Sequence, residues 1–99
     1  MVIFLDNYKN MLGIEVINTG NIKSTAVTPR EVLKPALQAN AASIIIAHNH
    51  PSGSLQPSSE DLEITENIIY AGRRMGLLIR DHIIIGKSGY FSFKEKGLI

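Results

Sequence analysis

The sequence predicts one small domain of the α/β (α+β) class, built on a mixed β-sheet with two helices. Three observations carry this. Six apolar runs of strand length are separated by turn-rich segments. Two further stretches combine helix caps with apolar residues at helical spacing. Their order is three strands, helix, strand, helix, two strands, the order of a layered fold with a mixed sheet. The chain has 99 residues, 44% of them hydrophobic, enough for a single modest core.

Val2 to Leu5 is an apolar run bounded by the turn-rich Asp6-Asn7-Tyr8-Lys9-Asn10. Met11 to Asn18 follows as a second strand, so the two are expected to form a hairpin. Thr19-Gly20-Asn21 is another turn, and Ile22 to Val27 a third strand. Thr28-Pro29-Arg30-Glu31 opens the first helix. Thr28 caps it, Pro29 suits the first helical position, and Glu31 completes a capping box. Val32, Leu33, Ala36 and Leu37 form its apolar stripe. Pro35 lacks an N–H inside this helix, so a kink or an early end is expected there, with Asn40 as C-cap.

Ser43 to His48 is rich in isoleucine and reads as a buried central strand. Pro51 to Pro57 is a loop. Ser58 to Met75 is the longest helix, capped by Ser58 and stopped by Gly76. Glu60, Asp61 and Glu63 suit the positive end of its dipole, Arg73 and Arg74 the negative end. Leu77 to Ile85 is a further strand, and Tyr90 to Phe93 a short last one.

Composition narrows the classes. There is no cysteine, which excludes disulfides and thiolate metal sites and agrees with a reducing compartment. The formal net charge of +1, with scattered basic residues, does not resemble a dedicated nucleic-acid binder. Val2 to Leu5 is too short for a signal-peptide core, and no apolar run reaches membrane-spanning length. A soluble, cytoplasmic protein is expected.

The chemistry concentrates at His48-Asn49-His50-Pro51-Ser52-Gly53 and Pro57-Ser58-Ser59-Glu60-Asp61. Side chains two apart on a strand point the same way, so Ile44, Ile46, His48 and His50 share a face if the strand persists that far. On the long helix, Asp61, Ile64, Ile68, Ala71 and Met75 fall on one face that is apolar apart from Asp61. A carboxylate aimed inward needs a charge partner, and a metal held by two histidines would provide one. The competing reading is plain: Ser58-x-x-Asp61 is also a capping box, and paired loop histidines are often merely polar. If metal binds, two His and one Asp leave a fourth tetrahedral position open, as in catalytic zinc sites. The letters HNH do not make the chain an HNH nuclease, whose named residues lie far apart. The metallo-β-lactamase pattern needs Asp where Ser52 stands.

His48-x-His50, seven residues, then Ser58-x-x-Asp61 resembles the JAMM motif of MPN-type metalloproteases. The context His-Asn-His-Pro-Ser-Gly resembles their RadC-like branch. Phe4-Leu5-Asp6, Pro29-Arg30-Glu31, Asp81-His82-Ile83-Ile84-Ile85-Gly86, Ser92-Phe93 and Lys94-Glu95 extend the likeness over nearly the whole chain. The resemblance implies a three-layer, cytidine-deaminase-like fold and zinc-dependent peptidase or isopeptidase chemistry. It implies His48, His50 and Asp61 as ligands of one zinc ion. It gives Ser58 to the oxyanion or the attacking water, and an upstream Glu to general-base catalysis. Glu15 fits that Glu better than Glu31, which the capping box already uses; the alternative is a solvent-facing strand Glu. Asp81 and His82 either support a metal ligand or substrate, or only satisfy each other's hydrogen bonds. Arg30 either binds an acidic group or is solvated. The substrate is expected to be a peptide or protein. An accessory role in DNA repair is the alternative. Longer relatives carry an N-terminal helical region associated with DNA contact, and this chain is expected to start in the metal domain, so DNA binding by it alone is not expected.

Overall fold

The computed structural model describes residues 1–16, 28–50 and 54–99. Seven elements follow in order: β1 (Val2–Leu5), β2 (Met11–Glu15), α1 (Pro29–Gln38), β3 (Ser43–Asn49), α2 (Ser59–Arg74), β4 (Leu78–Ile85) and β5 (Tyr90–Ser92). The strands form one five-stranded sheet in the order β2-β1-β3-β4-β5. Among the described strands only the β3–β4 pair is parallel, so the sheet is mixed, as expected. The strand expected at Ile22 to Val27, the turn before it, and the Pro51 end of the loop lie outside the described residues.

Local chemistry explains most element ends. The β1–β2 turn is held by the Asp6 carboxylate, which accepts from the N–H groups of Tyr8 (2.8 Å) and Asn10 (2.9 Å). Thr28 caps α1, its hydroxyl accepting from the Glu31 N–H. Of the kink or early end expected at Pro35, the early end does not occur: α1 runs on to Gln38. The carbonyl that Pro35 leaves unbonded belongs to exposed Glu31, where water can take it, while buried Val32, Leu33 and Ala36 hold the helix down. The C-cap is Ala39, one residue earlier than expected. Asn40 follows in the left-handed region (φ 56°), and the Ala41 N–H closes the turn on the Ala36 carbonyl. Gly76 plays the same part after α2, at φ 74°, and the Leu77 N–H bonds the Gly72 carbonyl at 2.8 Å.

Val2, Phe4, Ile44, Ile46 and Ile79 line one face of the sheet and pack with Val32, Leu33 and Ala36 of α1 and Ile68 of α2. Both helices therefore share this core. No helix among the described residues is long and apolar enough to cross a membrane.

The β3–β4 register contains the detail that shapes the site. Ile44 pairs with Ile79, but Ile45 pairs with Asp81, so Arg80 is one residue too many. Strict alternation from Ile79 would put Asp81 on the core face. The bulge puts His82 and Ile84 there instead, both buried. Arg80 turns to the Ser43 hydroxyl (Nε to Oγ, 2.8 Å).

Candidate metal centre

His48 lies near the end of β3 and His50 one residue beyond it. The His50 N–H still bonds the Ile85 carbonyl (3.1 Å), so the extended backbone persists and both imidazoles emerge on the core face. Their ring centroids are 4.9 Å apart. Asp61 is the third residue of α2 and is buried, at 5% exposure. It faces inward, as the helical spacing predicts.

The rest of the predicted stripe is rotated slightly. The buried positions of α2 are Asp61, Thr65, Ile68 and Gly72, whereas Met75 is exposed. Gly72 is demanded by close approach, since a Cβ there would lie 2.8 Å from the Leu77 carbonyl oxygen.

The two readings of Ser58-x-x-Asp61 coexist. Ser58 Oγ accepts from the Asp61 N–H (3.0 Å), and Asp61 Oδ2 accepts from the Ser58 N–H (2.8 Å). That capping box holds the carboxylate in place, with Oδ1 3.5 Å from His48 Nε2 and Oδ2 3.1 Å from His50 Nε2. One donor atom from each of His48, His50 and Asp61 lies within 4.8 Å of the others.

Protonation sharpens the picture. Burial pushes the Asp61 carboxyl up, but the Ser58 hydrogen bonds and the two imidazoles outweigh it and hold it below its ordinary 3.8. Burial lowers His48, against the pull of Asp61. It lowers His82 further, to about 4, with His48 adding to the effect. His50 Nδ1 lies 2.8 Å from the Ser54 carbonyl, which can only accept, so Nδ1 carries the proton. His50 Nε2 then meets a carboxylate oxygen either as a bare lone pair or as an imidazolium N–H. A bare lone pair facing a carboxylate is repulsive, and a cation between them would relieve it. His48 Nε2 is buried and has no hydrogen-bond partner among the described residues. A buried polar atom without a partner is costly, and this one faces a carboxylate and a second imidazole. The residues fit a divalent metal.

A profile of the RadC-like JAB domain matches residues 1–98. The chain belongs to this family. It is 44% identical over 99 residues to a "UPF0758 protein" of Rubrobacter xylanophilus, covering 100% of this chain and 43% of that one. It is 48% identical over 98 residues to one of Syntrophomonas wolfei (99% and 42%), and 48% over 99 residues to one of Histophilus somni (100% and 45%). The chain thus spans less than half the length of these RadC-family relatives.

The other predicted residues separate. Glu15 ends β2 and is exposed. It pairs with Val2, which in turn pairs with Ile46, so Glu15 projects on the same face of the sheet as His48, at its rim. Asp81 and His82 part company. The Asp81 carboxylate, on the opposite face, accepts from the Ser92 hydroxyl (2.5 Å), the Lys94 N–H (3.0 Å) and the His82 backbone N–H (2.7 Å). His82 Nε2 lies 2.8 Å from His48 Nδ1, and His82 Nδ1 lies 2.5 Å from Thr65 Oγ1. Arg30 is exposed. Sequence reading missed Thr65. Its one signal was its place a helical turn after Asp61.

Proposed function

We propose that this domain is a zinc-dependent hydrolase of peptide or isopeptide bonds, with Glu15 as general base. The observation that supports it is the convergence of two imidazole nitrogens on a buried carboxylate, one of them, His48 Nε2, with no other partner among the described residues. His48, His50 and Asp61 would hold the ion. Three nitrogen and oxygen donors without a thiolate are the set of a catalytic zinc site with one position open. When bound, the ion supplies Lewis acidity, which brings the pKa of a coordinated water to about 7.

The remaining work falls to the protein's own groups. Glu15 takes a proton from the attacking water as its oxygen adds to the carbonyl carbon. It returns that proton to the amine nitrogen as the C–N bond breaks. Ser58 caps α2 with its oxygen lone pair, so its O–H proton is left to donate to the developing oxyanion, beside the positive end of the helix dipole. The substrate is a peptide or protein. A net charge of +1 gives little attraction for DNA phosphates.

The test uses the 99-residue protein stripped with a chelator. Zinc titration should show one site per chain, and zinc should confer hydrolysis of isopeptide-linked or linear model peptides. Glu15→Gln should bind zinc as tightly and lose hydrolysis by at least about 100-fold. Failure of the wild type to bind zinc overturns the proposal. Full hydrolysis by Glu15→Gln removes Glu15 as the base.

A further inference from the structure

A hydrogen bond between two imidazoles can run either way. Which way it runs between His48 and His82 decides which nitrogen of His48 is bare. The answer lies one side chain further on. Thr65 Oγ1 is 2.6 Å from the Asp61 carbonyl oxygen and 2.5 Å from His82 Nδ1. A backbone carbonyl only accepts, and a hydroxyl has one proton, so Thr65 donates to Asp61. Toward His82 it can then only accept, and His82 Nδ1 must carry a proton.

His82 is 3% exposed and its ring meets Thr65, His48 and the face of Phe93, stacked at 4.6 Å. Among the described residues no carboxylate hydrogen-bonds its ring, because Asp81 is turned to Ser92 and Lys94. A second proton would bury an uncompensated charge, so the ring stays neutral and Nε2 is an acceptor. The proton of the His48–His82 bond therefore sits on His48 Nδ1. His48 Nε2 is left as a bare lone pair facing Asp61 Oδ1 at 3.5 Å.

We propose that Thr65 is a positioning residue which, through His82, locks His48 in the tautomer that offers Nε2 to the metal. The relay starts on one metal ligand, His48 of β3, and ends on the backbone carbonyl of another, Asp61 of α2. Its hydrogen bonds polarise one another and raise the basicity of His48. Valine in place of Thr65 keeps the shape and removes the acceptor. His82 can then move its proton to Nε2 and donate to His48 Nδ1, which transfers the His48 proton onto the ligating nitrogen. The metal part of this inference rests on the metal site proposed above. The tautomer part does not.

The test has two arms. Long-range proton–nitrogen NMR on metal-free wild type reads the tautomers directly. His48 should be protonated on Nδ1 and bare on Nε2, and His82 likewise. Chelator competition then reads zinc affinity. Thr65→Val should weaken it by about 10- to 100-fold and bring in the reversed tautomers, and Thr65→Ser should restore both. A wild-type His48 protonated on Nε2 overturns the proposal without any variant having to fold. Wild-type zinc affinity in a folded Thr65→Val protein also overturns it. Wild type showing the expected tautomers but no zinc binding would sink the metal site, and with it the ligand role given to Thr65, while the proton relay itself would stand.

Discussion

Lowering the pH of the metal-free domain from 6.5 toward 4 should destabilise it through His82. In the unfolded chain His82 takes a proton near its ordinary 6.5, whereas in the folded protein burial holds it to about 4. Between those values the unfolded state binds more protons, so stability falls as pH falls. The gap is worth about 3 kcal/mol at 1.36 kcal/mol per pH unit. The loss begins near pH 6.5 and is complete near pH 4. His48, lowered in the same direction, adds to the loss. Asp61 does not act in this window. Its carboxyl is depressed below 3.8, so the stability it contributes is present above that value and is lost only at lower pH. Against a total of about 5–15 kcal/mol for a small domain, the loss is large. The assay is urea unfolding of the stripped protein at half-unit steps from pH 7.5 to 4.5. His82→Gln should flatten the profile by up to one proton. A wild-type profile that is level across this range, or a His82→Gln profile as steep as wild type, would refute the reasoning.

Zinc at a hundredfold excess over its dissociation constant should raise the unfolding free energy by about 2.7 kcal/mol, and His48→Ala should abolish the gain in a melting assay. Gly72→Ala should cost about 1–3 kcal/mol in urea unfolding, because its Cβ would press on the Leu77 carbonyl, which cannot yield without undoing the end of α2. Ser58→Ala should cost about 1 kcal/mol by loss of the cap and should also reduce peptide hydrolysis; a purely structural serine would lower stability alone.

Much of the fold was legible because its signals are local. The Ile-rich run from Ser43, the Thr28-Pro29 and Ser58 helix starts, and Gly76 each announce an element through chemistry within a few residues. The convergence of His48, His50 and Asp61 was legible for the same reason: strand and helix periods alone aim them inward. The early end offered at Pro35 does not occur because the packing of Val32, Leu33 and Ala36 around it, which a propensity argument does not weigh, holds the helix on to Gln38. Asp81 and His82 stayed ambiguous because a bulge at Arg80 decides which one reaches the core face, and nothing in Leu-Ile-Arg-Asp-His marks a bulge. Thr65 was passed over because a search for an apolar stripe skips hydroxyls. Its value shows only once His82 has arrived from another strand.

That arrival has a consequence for the order of assembly. Residues 48 to 61 are close in sequence, with the His50–Asp61 contact spanning only 11 residues, whereas the His48–His82 bond spans 34. A nascent or partly folded chain can bring the three donors together as soon as β3 and the start of α2 meet. It cannot set the proton of His48 until β4 has docked alongside. At the proposed metal site, tight capture would thereby be deferred to the finished sheet, and ion affinity would distinguish a mature domain from a half-made one.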